Sequence, residues 1–362
     1  SGIFRAFFLS SPCNDKMKFI AKLTFILLLI LLDIPGAAGE RPIRIKAVGD
    51  IMLGSYHPDG FLRPEEKGSI LKYIRPLIQD ADITLGNLEG TLSDSGTTEK
   101  CEPDSLDCYV FRMPEIYGED LELAGFDFLS LANNHIGDFG PDCVTKTEEV
   151  LDANDIGWSG RPGTFASKTI RGVKIAFVAF HSGGNCNSSL ELEAAEGLVL
   201  NLDKNHDLVL VSVHGGAEGL AAMHLPDSTE YYLGEDRGHM IQFSHRMIDA
   251  GADLIVGHGP HVARAMELYK GKLVVYSLAN FATYGRFNLL AERRFGAVLD
   301  VELNNSGDLI KGRLISTEQK YWGVPFVDRE HRFSHLVDSL SIADRPQSAV
   351  RLKADGTLIL AN

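Results

Sequence analysis

The sequence predicts an α/β fold, and three observations carry that prediction. Short β-branched or apolar runs recur along the chain, amphipathic stretches separate them, and the runs end in small polar clusters. Near-continuous apolar runs of this length are the pattern of strands covered on both faces. Strands that alternate with helices pack as an α/β protein. The 362 residues, 44% of them hydrophobic, supply a large core and exclude intrinsic disorder.

Taken in order, strands are expected at Ile43–Val48 before Gly49-Asp50, at Asp82–Leu85 before Gly86-Asn87-Leu88-Glu89, and at Phe126–Leu131 before Asn133-Asn134-His135. Further strands are expected at Val173–Phe180 before His181, Leu208–Val213 before His214, Leu254–Val256 before Gly257-His258-Gly259-Pro260-His261, and Leu273–Leu278 before Asn280. Helices are expected at Ser69–Gln79, Asp142–Ala153 and His239–Ala250. Pro141 opens the second and Gly251 closes the third. Beyond residue 296 two strands, Ala297–Leu303 and Leu309–Ser316, flank Asn305-Ser306-Gly307, which is hairpin chemistry. No linker or repeat interrupts residues 43–320, so they read as one domain, with 321–362 as a C-terminal extension.

The start of the chain reads differently. Met17-Lys18 and Lys22 precede an apolar run from Leu23 to Leu32, and Gly36-Ala37-Ala38 follow. A basic stretch, an apolar run of about ten residues and small residues make a secretory signal. Residues 1–38 are therefore expected to be an upstream extension plus signal peptide, cleaved near Ala38, and the protein exported. An uncleaved N-terminal anchor is the alternative. The formal charge is −14, and residues 1–38 carry four basic and two acidic side chains, so the exported form would carry −16. Such acidity argues against nucleic acid as a partner. Four cysteines remain in that form. Three connectivities are open to them; Cys101–Cys108 and Cys143–Cys186 are favoured, with buried free thiols as the other reading.

In open α/β sheets ligands collect beyond the carboxyl ends of the strands. That edge would carry Asp50, Asn87, Glu89, Asn134, His135, His214, His258, His261 and Asn280. A single strand-end histidine is ordinary, whereas six strand ends finishing in Asp, Glu, Asn or His are hard to explain by packing. Carboxylate, amide oxygen and imidazole together suit manganese, zinc or iron, as one ion or as a pair. A hydrogen-bonded polar edge without metal is the bland alternative. His57 and His181 lie near strand ends and read as capping or surface residues. His206, His224, His239 and His245 read as solvated.

Gly49-Asp50-Ile51-Met52-Leu53-Gly54, Asn87-Leu88-Glu89, Asn133-Asn134-His135-Ile136-Gly137-Asp138 and Gly257-His258-Gly259-Pro260-His261, followed by Tyr276-Ser277-Leu278-Ala279-Asn280-Phe281, resemble the motifs of the capsule-synthesis CapA family, also called the poly-gamma-glutamate biosynthesis family. That family is similar to calcineurin-like metallophosphoesterases. The resemblance implies a four-layer α/β/β/α sandwich of the metallo-dependent phosphatase type. It implies metal ligation by Asp50, Glu89, Asn134, His214, His258 and His261, and catalysis by His135, which Asp138 orients. It also implies substrate contacts from Asn87, Glu218 and Asn280. Arg286, with Arg293 and Arg294, is the nearest cationic group for an anionic polymer.

Two departures bear on activity. Met52 stands where metallophosphoesterases carry a histidine. Gly215, Gly219 and Gly259 replace larger residues usual in the family, which is expected to widen the cleft. The function implied is an exported, metal-dependent hydrolase-like enzyme of capsule or poly-gamma-glutamate metabolism, acting through a metal-activated water on an anionic polymer or a small molecule. The alternatives are a non-catalytic assembly or polymer-handling subunit, working with membrane-bound synthesis components, and a generic metallophosphoesterase.

Overall fold

A computed structural model describes residues 41–360 apart from 58–60, 65, 102–107 and 286. The leader and Arg286 lie outside the described residues. From Pro42 onward the chain is one compact unit built on two sheets.

The first sheet centres on β1 (Ile43–Met52). On one side of it lie β2 (Ile83–Leu88), β3 (Phe128–Ser130) and β4 (Gly157–Ser159), all parallel. The second sheet contains β5 (Ala166–Ile170), β6 (Val173–His181), β7 (Leu208–His214), β8 (Leu254–His258), β9 (Met266–Tyr269) and β10 (Lys272–Val275), in the order β9-β10-β8-β7-β6-β5. Its four inner strands run parallel, with antiparallel β9 and β5 at its edges. The chain then returns to the first sheet. There β11 (Asn280–Thr283) pairs with the end of β1, and β12 (Phe295–Leu303), β13 (Leu309–Lys320) and β14 (Val324–Val327) extend the other side antiparallel.

Strand side chains alternate between faces, and that period sorts the core. Ile175, Phe177 and Ala179 of β6 join the main core with β1 to β3, and Phe128 and Phe177 stack at 5.3 Å between the sheets. Ala176, Val178 and Phe180 face the other way, onto Val199 of a helix at Leu192–Asp203 and onto Phe243 and Met247 of a helix at Met240–Asp249. Behind the first sheet lie helices at Arg75–Ile78, Tyr117–Ala124 and Pro141–Ala153, which bury Ile78, Leu121 and Leu151. Lys46 is fully buried on that face and donates to Leu77 O. The layers are helix, sheet, sheet and helix, as expected. A last helix at Arg332–Asp344 packs against β12 and β13 of the first sheet and β9 of the second.

Two sequence expectations are corrected. Only Arg75–Ile78 of the helix expected at Ser69–Gln79 is helical, because Pro76 lacks an N–H and is tolerated only in a first turn. Cys101 and Cys108 are bridged, but Cys143 and Cys186 are buried free thiols. Cys143 Sγ lies 3.3 Å from Ser95 O in a small cluster with Val110 and Phe139, while Cys186 packs in the main core.

Glu267 on β9 fastens the C-terminal segment. It meets His245 Nε2 at 2.8 Å, Tyr276 Oη at 2.5 Å and Arg345 Nε at 3.0 Å, and it accepts from Ser348. Burial would raise this carboxyl, but the bonds from His245, Ser348 and Tyr276 outweigh it and hold its pKa at about 2, against an ordinary 4.5. A depressed carboxyl stabilises the fold above its unfolded pKa, and that contribution is lost as pH falls from about 4.5 through 2. Glu267→Gln is expected to lose about 3 kcal/mol at pH 6. Denaturant titrations at several pH values should show the gap from wild type closing towards pH 2; a constant gap would contradict the assignment.

Candidate metal centre and cleft

The site is built from two rows of side chains, one from each sheet. In the first sheet Asp50 is in register with Asn87 on one side and Asn280 on the other, after a bulge between Ala47 and Asp50. In the second, His214 is in register with His181 on one side and His258 on the other. Residues in register across adjacent strands project from the same face, so each row presents its polar groups together. Glu89, just beyond β2, and His261, in the loop after β8 with φ 57°, fill the space between the rows.

Asp50 and Glu89 are fully buried, as are His214 and His258. Asp50 Oδ1 accepts from Asn87 Nδ2 at 2.9 Å and lies 3.4 Å from His258 Nδ1; Oδ2 lies 3.0 Å from His261 Nδ1. Glu89 Oε1 lies 3.2 Å from His214 Nε2 and 3.7 Å from His261 Nε2. His261 also reaches Asn280 Oδ1 at 3.0 Å and Glu218 Oε2 at 3.8 Å. Donor atoms of Glu89, His214 and His261 all fall within 4.8 Å of one another.

The electrostatics follow from burial and pairing. Burial would lower the His261 pKa, but the Glu89 and Asp50 carboxylates prevail and raise it to about 10. Burial pushes the Asp50 carboxyl up, yet the imidazoles of His258 and His261 beside it hold it below the usual carboxylate range. Glu89 is pushed well above that range by burial, which the charge of His261 offsets only in part. Burial, with His181 alongside, keeps His214 neutral.

The residues fit a divalent ion on one observation. Asp50 Oδ2, Glu89 Oε2, Asn134 Oδ1, His214 Nδ1 and both ring nitrogens of His258 are buried without a hydrogen-bond partner. Each such group costs about 1–3 kcal/mol, so this many at one edge calls for a common partner. Carboxylate oxygens and neutral imidazoles are the donors a transition ion takes. Asn134 shares no hydrogen bond with the other expected ligands among the described residues. Its loop is tied in through Asn133, whose Nδ2 donates to Asn87 Oδ1 at 3.1 Å and Leu88 O at 2.8 Å.

A cleft of about 280 Å³ opens beside this centre. Its polar lining includes His135, Glu218, His261, Asn280 and Arg293, and its aromatic lining Tyr109, Phe111, Tyr232 and Phe287. His135 Nδ1 lies 2.7 Å from Asp138 Oδ2, which leaves Nε2 as the nitrogen open to a ligand. Burial lowers the His135 pKa against the pull of Asp138. Lys100, beside the Cys101–Cys108 bridge, reaches Asp138 Oδ1 at 2.5 Å and Asn134 O at 3.2 Å. Neither Lys100 nor the phenylalanines carry a motif. Only the nearness of Lys100 to Cys101 could have drawn attention to it.

The three glycines do not act alike. A side chain at Gly215 would strike Met240, which fills that space, and one at Gly259 would press on the His214 ring. Only Gly219 lines the cleft, with Arg293 Nη2 near its free face. Of the residues read as bystanders, His181 is buried and its Nδ1 meets His214 O at 2.9 Å. Met52 is fully buried in the main core.

A sandwich of two sheets whose strand ends bring carboxylates, an amide and imidazoles into one buried cluster defines an α/β protein with a candidate metal centre. The chain belongs to the family described as "Bacterial capsule synthesis protein PGA_cap", whose profile matches residues 44–284. It is 27% identical over 264 residues to the capsule biosynthesis protein CapA of Bacillus anthracis, covering 67% of this chain and 60% of that one. It is 28% identical over 253 residues to the PGA biosynthesis protein CapA of Bacillus subtilis (strain 168), covering 65% and 61%. The chain thus spans about 60% of the length of these two relatives. A 5'-nucleotidase precursor from Thermus thermophilus is similar in shape, with TM-score 0.43, 12% identity, and coverage of 76% of this chain and 54% of that one.

Proposed function

We propose that this protein is an exported, metal-dependent hydrolase of capsule or poly-gamma-glutamate metabolism. The single observation that carries the reading is the set of buried, unpartnered donor atoms on Asp50, Glu89, Asn134, His214 and His258. These residues and His261 would hold one or two divalent ions, of manganese, zinc or iron. A bound ion supplies Lewis-acid activation of water and stabilises charge on the bond being cleaved. Asp138 fixes the His135 ring through Nδ1, so Nε2 can exchange a proton with the leaving group. Arg293 holds an anionic group in the cleft, the Asn280 amide positions Arg293 by donating to its carbonyl at 3.2 Å, and the aromatic walls exclude water. The substrate is then an anionic polymer end or a small anionic molecule. The chain's own charge of −14 repels an anionic chain at long range, so capture depends on these local groups and the ion.

A second reading, a polymer-handling subunit of a membrane-bound synthesis machine, has its own support. His261 sits between Asp50 and Glu89 as a cation, and Met52 leaves one ligand position apolar. Elemental analysis of the purified protein separates the two readings. Stoichiometric transition metal, with metal-dependent turnover on a panel of phosphodiesters and polyglutamate, is the expected result. Absence of retained metal after supplementation, with no turnover, would leave the second reading.

A further inference from the structure

The side chain of Asp138 is 1% exposed, so each of its oxygens needs a partner from the protein. Oδ2 accepts from Phe111 N at 2.9 Å and meets His135 Nδ1 at 2.7 Å. Oδ1 is met by Lys100 Nζ at 2.5 Å. The same ammonium donates at 3.2 Å to Asn134 O, the carbonyl directly before His135. Lys100 thus grips both ends of the short turn from Asn134 to Asp138, inside which Asp138 N donates to His135 O at 3.2 Å.

Two features separate this pair from an ordinary surface ion pair. Lys67–Glu119 joins side chains 47% and 43% exposed, and pairs of that kind contribute little. In the Lys100 pair the carboxylate is buried, and a buried oxygen left without a partner is costly. The second feature is covalent. The Cys101–Cys108 bridge joins the residue after Lys100 to the segment that carries Phe111. The grips on Asp138 from outside its own turn, Lys100 Nζ on one oxygen and Phe111 N on the other, therefore come from the two sides of one cross-link. The Phe111 ring also packs on His135, with centroids 4.4 Å apart. Two further carboxylates on the cavity that Lys100 lines are engaged elsewhere, Glu235 with Arg237 at 3.1 Å and Asp236 with Gly238 N at 2.8 Å.

We propose that Lys100 is a positioning residue for His135. Its ammonium, together with Phe111 N, fixes the plane of the Asp138 carboxylate, and that plane sets which imidazole nitrogen carries the proton. A carboxylate held at both oxygens accepts from Nδ1–H along one direction, so His135 keeps its Nδ1–H form and turns Nε2 to the cleft. Without Lys100 the freed oxygen takes water from the cavity of about 650 Å³ that Asp138 also lines. The carboxylate then turns, and the ring is no longer held to one form. This role rests on the hydrolase reading, in which His135 exchanges a proton with the leaving group. Its test uses no substrate, so the result for Lys100 and the result for turnover are separate.

Proton-detected spectra of the full chain with isotopically labelled histidine, taken at about pH 8 where an ordinary imidazole is neutral, report the tautomer of each ring. The His135 signals are those that vanish in His135→Gln. Wild type is expected to show the Nδ1–H form alone. Lys100→Met should shift the ratio of the two forms about tenfold or more towards Nε2–H, the size of a lost hydrogen bond to a charged group. Lys100 is 42% exposed, so the methionine chain is accepted there. Lys100→Arg, which restores a cation at the same place, should keep the wild-type pattern. Unchanged His135 signals in Lys100→Met would overturn the proposal, even if thermal unfolding shows lost stability, and would leave Lys100 as a brace for the turn. An equal shift in Lys100→Arg would overturn it too, since the effect would then be one of fit and not of the charge on Asp138.

Discussion

Arg264→Ala is expected to destabilise the fold by about 3–5 kcal/mol, the usual cost of leaving one partner of a buried ion pair alone. Arg264 is fully buried, and its guanidinium grips Glu230 with two bonds, of 2.8 and 2.6 Å. It also donates to Ala222 O at 2.8 Å and Ala217 O at 3.1 Å. Glu230 Oε2 in turn accepts from Ala217 N at 3.0 Å. Truncation therefore strands a buried carboxylate and two carbonyls at once. The same contacts fix the segment that carries Glu218 and Gly219 to the cleft. Denaturant unfolding measures the loss, and a cost below about 1 kcal/mol would show that water reaches the pair. Replacing both partners, as Arg264→Met with Glu230→Leu, should recover much of the stability, because no unpaired charge is then buried.

His258→Ala is expected to weaken metal retention by at least roughly a hundredfold, since even residues that only support a ligand contribute 10- to 100-fold. Both ring nitrogens of His258 are buried without a hydrogen bond, and Nδ1 lies 3.4 Å from Asp50 Oδ1. An ion that binds only the folded state stabilises it by about 4 kcal/mol at a thousandfold excess over Kd. Thermal unfolding of wild type should therefore rise on adding the ion and fall with chelator, while His258→Ala responds far less. Equal metal content and equal thermal response in the two proteins would remove His258 from the centre.

Much of this architecture is legible in the chain because its strands are covered on both faces. Val173–His181 and Leu208–His214 read as near-continuous apolar runs, interrupted only by Lys174 and Ser212, and a polar residue closing such a run stands out. That contrast exposes Asp50, His214 and His258, while Glu89 and His261 follow from their motifs. The walls of the cleft are different. Phe111, Phe287 and Arg293 come from loops with no periodicity, and only the fold brings Phe111 and Phe287 to a 5.0 Å stack. The thiols failed for a related reason. An even cysteine count says that bridges are possible in an exported chain, but pairing depends on distance, and Cys143 and Cys186 pack in different clusters. Ser69–Gln79 shows a third limit, in that apolar spacing outlasted what Pro76 permits.

The two rows of donors set the order in which the protein can be made ready. Asp50, Glu89 and Asn134 belong to the early half of the chain, and His214, His258 and His261 to the late half. Neither sheet holds a full set, so a chain folded only in its first sheet has no centre to load. On the proposed metal-dependent reading, ion capture follows closure of both sheets, and the ion would be drawn from whichever compartment sees that closure. The choice of metal would then be a matter of address as much as of affinity.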